Sequence, residues 1–190
     1  MNSTREEIEK IGFARLGTNV TIHKTVEIFS PHNIYLGDNI RIDCFSLLSA
    51  GEEGIYIGCN VHLSASTFIF GGGGKVVLED FSGLSSRVSI YTATDDYSEG
   101  YLTNPTIPDQ YKKMTSGPVT LRKHAIIGTG SVIMPGVEVG VAASIGALSF
   151  VRKNIDDFAI VSGNPVRVIG KRSNMILEIE KQYLDEMRYR

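Results

Sequence analysis

The chain has no tryptophan, only two cysteines and little net charge, a formal −2 at pH 7 over 190 residues. Each shortage excludes something. Cys44 and Cys59 supply neither a disulfide framework nor a CxxC metal site and read as small apolar fillers in a reducing compartment. Matched acidic and basic residues leave no basic surface to displace counterions, so no nucleic-acid partner is expected. No apolar run reaches the roughly 18 residues of a membrane span. The N-terminus, MNSTREEIEKIGF, is too charged for a secretory signal, so a cytoplasmic protein without membrane insertion is expected. No histidine, cysteine or carboxylate cluster has metal-ligand spacing, and no metal is expected. Aromatic residues are few against 20 glycines, a balance that suits short strands and tight turns better than a helical bundle.

What is present is a six-residue period. Stepping from Leu121 gives Ile127, Ile133, Val139, Ile145 and Val151, all aliphatic. Four residues after each stands a second, mostly small set: Ala125, Ser131, Val137, Ala143, Ser149 and Ile155. Earlier in the chain the same register runs in triplets: Leu16, Ile22, Ile28; Leu36, Ile42, Leu48; Ile57, Leu63, Ile69; Leu78, Leu84, Ile90. Turn-rich stretches separate them at residues 30–33, 51–54 and 71–74. Each triplet is one coil of a three-sided prism whose stacked coils bury a continuous core and pair their strands. An alternating-strand sandwich predicts a period of two instead. The glycines Gly71 to Gly74 lack the Lys-Ser/Thr of a phosphate loop and read as a flexible corner near the acceptor site.

The segment from Leu121 to Ile169 resembles the C-terminal half of the hexapeptide-repeat acyltransferases, a family that includes sugar and serine acetyltransferases, and the likeness covers roughly residues 11–170. It implies an all-β fold, a left-handed parallel β-helix of about five to six coils, spanning residues 11–170 with a protruding loop at 92–118. Residues 1–10 then form an N-terminal capping helix, and residues 173–190 a C-terminal helix packing on the other end or on a neighbour. The resemblance further implies acetyl-CoA as co-substrate, a homotrimer, and an active site between subunits walled by the loop. Similar to the family's pantetheine track are Thr129 and Gly130, then Ala147 and Leu148. Arg152, Lys153, Arg167 and Lys171, with Arg172, supply charge for the coenzyme's phosphates.

The family's sugar O-acetyltransferases carry a general-base histidine that falls here at about Thr94, and the loop contains none. An amine is already a nucleophile when neutral, and a carboxylate can orient an ammonium group and take its proton late. Asp95 and Asp96 are equal candidates for that part, with Thr94, Tyr97 and Tyr101 as acceptor-binding residues. His62 and His124, which the register puts on outer faces, are the alternative bases. The reading that follows is an acetyl-CoA-dependent N-acetyltransferase of a nucleotide-linked amino sugar for surface polysaccharide such as lipopolysaccharide O-antigen. The alternatives are an O-acetyltransferase of a sugar hydroxyl and a non-catalytic scaffold.

Overall fold

The structure, a computed structural model, describes residues 1–188. Three parallel sheets form the faces of a prism. The first face stacks Arg15–Leu16, Ile34–Leu36, Ile55–Ile57, Val76–Leu78, Val119–Leu121 and Glu138–Val139. The second runs from Val20–Ile22 to Ala159–Ser162, and the third from Glu27–Phe29 to Phe150–Val151. The register pairs each core aliphatic with its counterpart a coil away: Leu36 with Ile57, Ile42 with Leu63, Leu48 with Ile69. The two periodic sets fall inside as the spacing demands, with Leu121, Ile127, Ile133, Val139 and Val151 fully buried and their small partners next to them. Each fully buried aliphatic contributes about 1.5–3 kcal/mol of burial.

There are six full coils and the start of a seventh, more than the five to six expected. Ile155 bridges to Val139, and Ile160 and Val161 pair with Ser144 and Ile145. The step from Val151 to Ile155 is four rather than six, so the seventh coil is out of phase with the repeat. Strand Arg167–Lys171 then turns back antiparallel on Ala159–Ser162 and closes the second face.

The corners are of two kinds. Between the first and second faces, and between the second and third, the core-to-core step is always six. These corners turn on a residue in the left-handed region: Asn39, Asn60, Phe81, His124 and Ala142 at the first corner, and Phe45, Ser66, Arg87, Gly130 and Leu148 at the second. That conformation costs a residue with a Cβ roughly 1 kcal/mol. Asparagine offsets part of the cost by local bonding. Asn19 Nδ2 donates to Asn39 Oδ1 at 2.8 Å, and Asn39 Nδ2 to Asn60 Oδ1 at 3.3 Å. Inside the second corner, buried hydroxyls satisfy turn carbonyls, as Ser149 Oγ and Ser131 Oγ both donate to Gly146 O.

The third corner is where the chain varies in length, and every interruption of the repeat before Val119 leaves from it. Residues 30–33, 51–54, 71–74 and 92–118 therefore stack into one ridge. Glycines permit the stacking: a Cβ on Gly51 would stand 2.5 Å from Gly71 O, and one on Gly74 2.8 Å from Gly117 C. Within this glycine run, expected as a flexible corner, Gly73 and Gly74 pack against the two ends of the long arm while Gly72 meets open space.

Helix α1 (Arg5–Glu9) opens with a Thr4–Glu7 capping box and buries Ile8 over the first coil. Helix α2 (Met175–Met187) lies along the first corner rather than across the far end. There Tyr183 meets Phe81 edge-on and Glu180 reaches Lys123 and His124.

Candidate active site

The arm leaves the third corner at Thr92, a buried residue whose hydroxyl accepts from Gly73 N and donates to Phe70 O, both at 2.9 Å. It returns through Gly117, whose N–H donates to Thr92 O. Between these anchors Ala93–Asp95 and Met114–Ser116 pair as an antiparallel hairpin. Where the hairpin meets the third face there is a cavity of about 280 Å³. Its floor is Tyr91, stacked on Phe70 with centroids 4.9 Å apart. Met114 and Pro105 make the apolar wall; Asp95, Tyr97 and Lys112 bring the polar groups.

The two aspartates are not equivalent. Asp96 Oδ1 accepts from the Ser98 backbone N–H and hydroxyl, and its Oδ2 lies 3.3 Å from Lys113 Nζ. These bonds, Ser98's foremost, hold its carboxyl down at about 2, so it stays ionised and serves the turn. Asp95 lines the cavity, and among the described residues only its Oδ2 is engaged, by Asn104 N at 2.8 Å. Thr94 Oγ1 lies 3.3 Å from the Tyr97 hydroxyl at the same mouth. Tyr101 stands outside this cavity, under Lys113.

Neither histidine is near the arm. His62 lies on the outside of the second face, with Nε2 2.8 Å from Asp43 Oδ2. His124 departs from the expectation of an outer face. It occupies a first-corner turn, 6 % exposed, stacked on Phe81 and bonded through Nε2 to Glu180 Oε2 at 2.9 Å. Its cover is α2, more than fifty residues downstream, which the local register does not reveal.

The residues assigned to the coenzyme divide. Thr129, Gly130, Ala147 and Leu148 share the second corner of consecutive coils, where Leu148 N donates to Thr129 O at 2.8 Å. Leu148 holds φ 57° and is 76 % exposed, and a Cβ on Gly130 would press on its side chain. An exposed apolar side chain in a costly conformation offers a ligand a shelf. Arg152 and Lys153 line an open cavity of about 530 Å³ against Pro165 and Val168. Arg167 and Lys171 stand at opposite ends of the closing strand. Arg172 is spent on the His124 and Ala142 carbonyls, so the cations form no single patch.

Sequence reasoning missed Tyr91 and Lys112. Tyr91, the outward residue of the last strand before the arm, was open to the alternation rule. Nothing in Lys112-Lys113 separates the two lysines.

No family model matches the chain. It is 40 % identical over 177 residues, 93 % of this chain and 92 % of the relative, to the dTDP-4-amino-4,6-dideoxy-D-glucose acyltransferase of Escherichia coli. Among solved structures it resembles AntD, an N-acyltransferase from Bacillus cereus in complex with dTDP and 3-hydroxybutyryl-CoA, with TM-score 0.94, 41 % identity and 98 % coverage of both chains. A hexapeptide-repeat acetyltransferase from Vibrio cholerae, complexed with acetyl-CoA, shares the fold at TM-score 0.63 and 17 % identity, over 90 % of this chain and 77 % of that one. A β-solenoid of hexapeptide coils, an arm raised at one corner and likeness along nearly the whole length of such enzymes together show that the chain belongs to the hexapeptide-repeat acyltransferases.

Proposed function

We propose that the enzyme transfers an acyl group from acyl-CoA to the amine of a nucleotide-linked 4-amino-4,6-dideoxyhexose, as a homotrimer. The observation that carries this is Asp95, a carboxylate with one oxygen free of partners among the described residues, in a pocket that none of them lines with a histidine. Such a group suits an amine acceptor, which needs orientation more than deprotonation. Asp95 Oδ1 takes one proton of the bound ammonium and passes it to solvent, the freed nitrogen attacks the thioester carbonyl, and collapse of the tetrahedral intermediate breaks the C–S bond. The released thiolate takes up the second proton that the nitrogen sheds. Tyr91 and Met114 suit the apolar side of a deoxy sugar. The Escherichia coli relative is named for dTDP-4-amino-4,6-dideoxy-D-glucose, and AntD was solved with dTDP-4-amino-4,6-dideoxyglucose or with dTDP.

Ser85 and Ser86 join the candidates. Solved AntD variants change one serine and one aspartate ten positions apart, the spacing of Ser85 to Asp95 and Ser86 to Asp96 here. Ser86 O accepts from Gly130 N, which puts this serine pair on the second corner beside the coenzyme track. Second corner and arm lie at opposite edges of the third face, so one chain keeps donor and acceptor apart. That separation supports a threefold assembly, in which the arm of one subunit meets a neighbour's second corner. Coenzyme A and nucleotide sugars meet in the cytoplasm, where we place the reaction and its supply to surface polysaccharide.

The test is thiol release from acetyl-CoA and 3-hydroxybutyryl-CoA with dTDP-4-amino-4,6-dideoxyglucose and with its 4-hydroxy counterpart. Turnover is expected with the amine alone. Asp95→Asn should lower kcat/KM by about ten-fold or more, the size of a lost charged hydrogen bond. Asp96→Asn should act through the arm instead, raising KM and loosening the 96–98 turn. Turnover with the hydroxyl sugar alone sinks the proposal.

A further inference from the structure

The arm buries a cation that the acyl transfer does not use. The Lys112 side chain is 9 % exposed, whereas that of neighbouring Lys113 is 45 % exposed. Among the described residues Lys113 has two carboxylates, Asp96 and Glu99, but Lys112 has only Asp109 at 3.0 Å, whose side chain is 98 % exposed. An ion pair with a fully solvated partner contributes little, about 0–1 kcal/mol. Burying a lysine against so weak a counterion is unfavourable unless a better anion arrives. The backbone holds Lys112 firmly all the same. Its N–H donates to Asp109 O, closing the turn at Asp109–Tyr111, and the residue bridges to Leu102. Its side chain lines the same cavity as Asp95.

The geometry points to Lys112 as the residue that receives the sugar-linked phosphate of the acceptor and so selects nucleotide-linked over free amino sugars. The inference rests on the acceptor class proposed above and deepens it. Such a substrate carries an ammonium and a phosphate at opposite ends of one hexose ring, and the cavity offers Asp95 for the first and Lys112 for the second. A phosphate oxygen replaces Asp109 as the partner of the ammonium and makes a stronger, charge-assisted bond away from bulk water. Asp109, left behind, returns to solvent at small cost because it is solvated already.

The experiment compares wild type, Lys112→Gln, Lys112→Arg and Asp109→Asn. Calorimetry reads their affinity for dTDP, and thiol release reads kcat/KM on dTDP-4-amino-4,6-dideoxyglucose and on the methyl glycoside of the same amino sugar. Lys112→Gln should weaken dTDP and raise KM for the nucleotide sugar about ten-fold, the loss of one charge-assisted bond, while leaving the methyl glycoside unchanged. Lys112→Arg should restore most of the loss. Asp109→Asn should tighten dTDP by about two-fold, because it removes a competing carboxylate. If Lys112 merely staples the turn, Asp109→Asn weakens dTDP as much as Lys112→Gln does, or both acceptors suffer alike, and the inference falls. Should wild type acylate neither acceptor, the acyl-acceptor reading fails by itself, and the calorimetry still decides whether Lys112 holds the diphosphate.

Discussion

The first two corners of the prism and its third obey different rules. At the first and second, six residues separate core positions in all six full coils, and the chain accepts left-handed Asn60, Phe81, Arg87 or Leu148 rather than change that number. At the third, the step is six only once, between Ile133 and Val139, and rises from Ile90 to Leu121 to accommodate the whole arm. The fixed corners set register for everything downstream. The free corner faces solvent, so a loop can grow there while Leu121 still docks on Leu78. Conserving core geometry at two corners concentrates variation, and with it the candidate acceptor site, at the third.

The largest effect that tests this contrast is an inserted residue. One glycine added after Lys123 lengthens a first corner and throws the following aliphatics out of the core. Neighbouring coils leave no slack; a Cβ on Gly128 would already stand 2.5 Å from Ala147 N. The variant should lose at least about 4 kcal/mol, seen as a melting temperature lower by about 10 °C or more. The same glycine added after Gly72, around which a Cβ would meet nothing within 4 Å, should cost about 1 kcal/mol or less. Equal losses at both sites would break the distinction between corners.

The contrast also explains what could be read from residues alone. Wherever the step was six, the sequence was transparent: Leu121 to Val151, and the four triplets before them, sit where periodicity puts them, with Leu16 and Ile28 of the first coil only partly buried against the core. The seventh coil escaped because Val151 to Ile155 falls short of the period at a third corner. At the arm the sequence singled out the stretch that carries the candidate site but could not rank its members. Asp95 and Asp96 are adjacent and chemically identical, and their difference lies in Ser98, Asn104 and Lys113. Burial of His124 depends on Glu180 and Phe81, which lie far from it along the chain.

A middling effect is expected at the seat of the arm. A Cβ on Gly73 would stand 2.5 Å from the Ala93 Cβ and 2.6 Å from Thr92 O, the first residues of the excursion. Gly73→Ala should therefore shift the hairpin that carries Asp95 and lower kcat/KM about ten-fold, because small misplacements of reacting groups are costly. The melting temperature should fall by only a few degrees, since the core is not touched. Next to it, Gly72→Ala meets open space and should stabilise by about 0.4–1 kcal/mol through the unfolded chain, with activity unchanged. If both substitutions left turnover alone, the ridge would not be what positions the arm.

The smallest effect on turnover concerns the fixed first corner and its cover. Glu180 bonds Lys123 and His124 there, and these two partners hold its carboxyl below the usual glutamate range against the opposing effect of burial. A depressed pKa means stability that is present above the unfolded value, near 4.5, and is lost as pH falls through the lower folded value. Docking of α2 should therefore weaken below about pH 4.5, seen as faster amide exchange in residues 175–187 while the coils stay protected. Glu180→Gln should remove that pH dependence and cost about 1–3 kcal/mol of helix docking at neutral pH, because Lys123 and His124 lose their anion. Turnover should change little, since this corner faces away from the arm. Loss of activity with Glu180→Gln would mean that the first corner, for all its regularity, is coupled to the third.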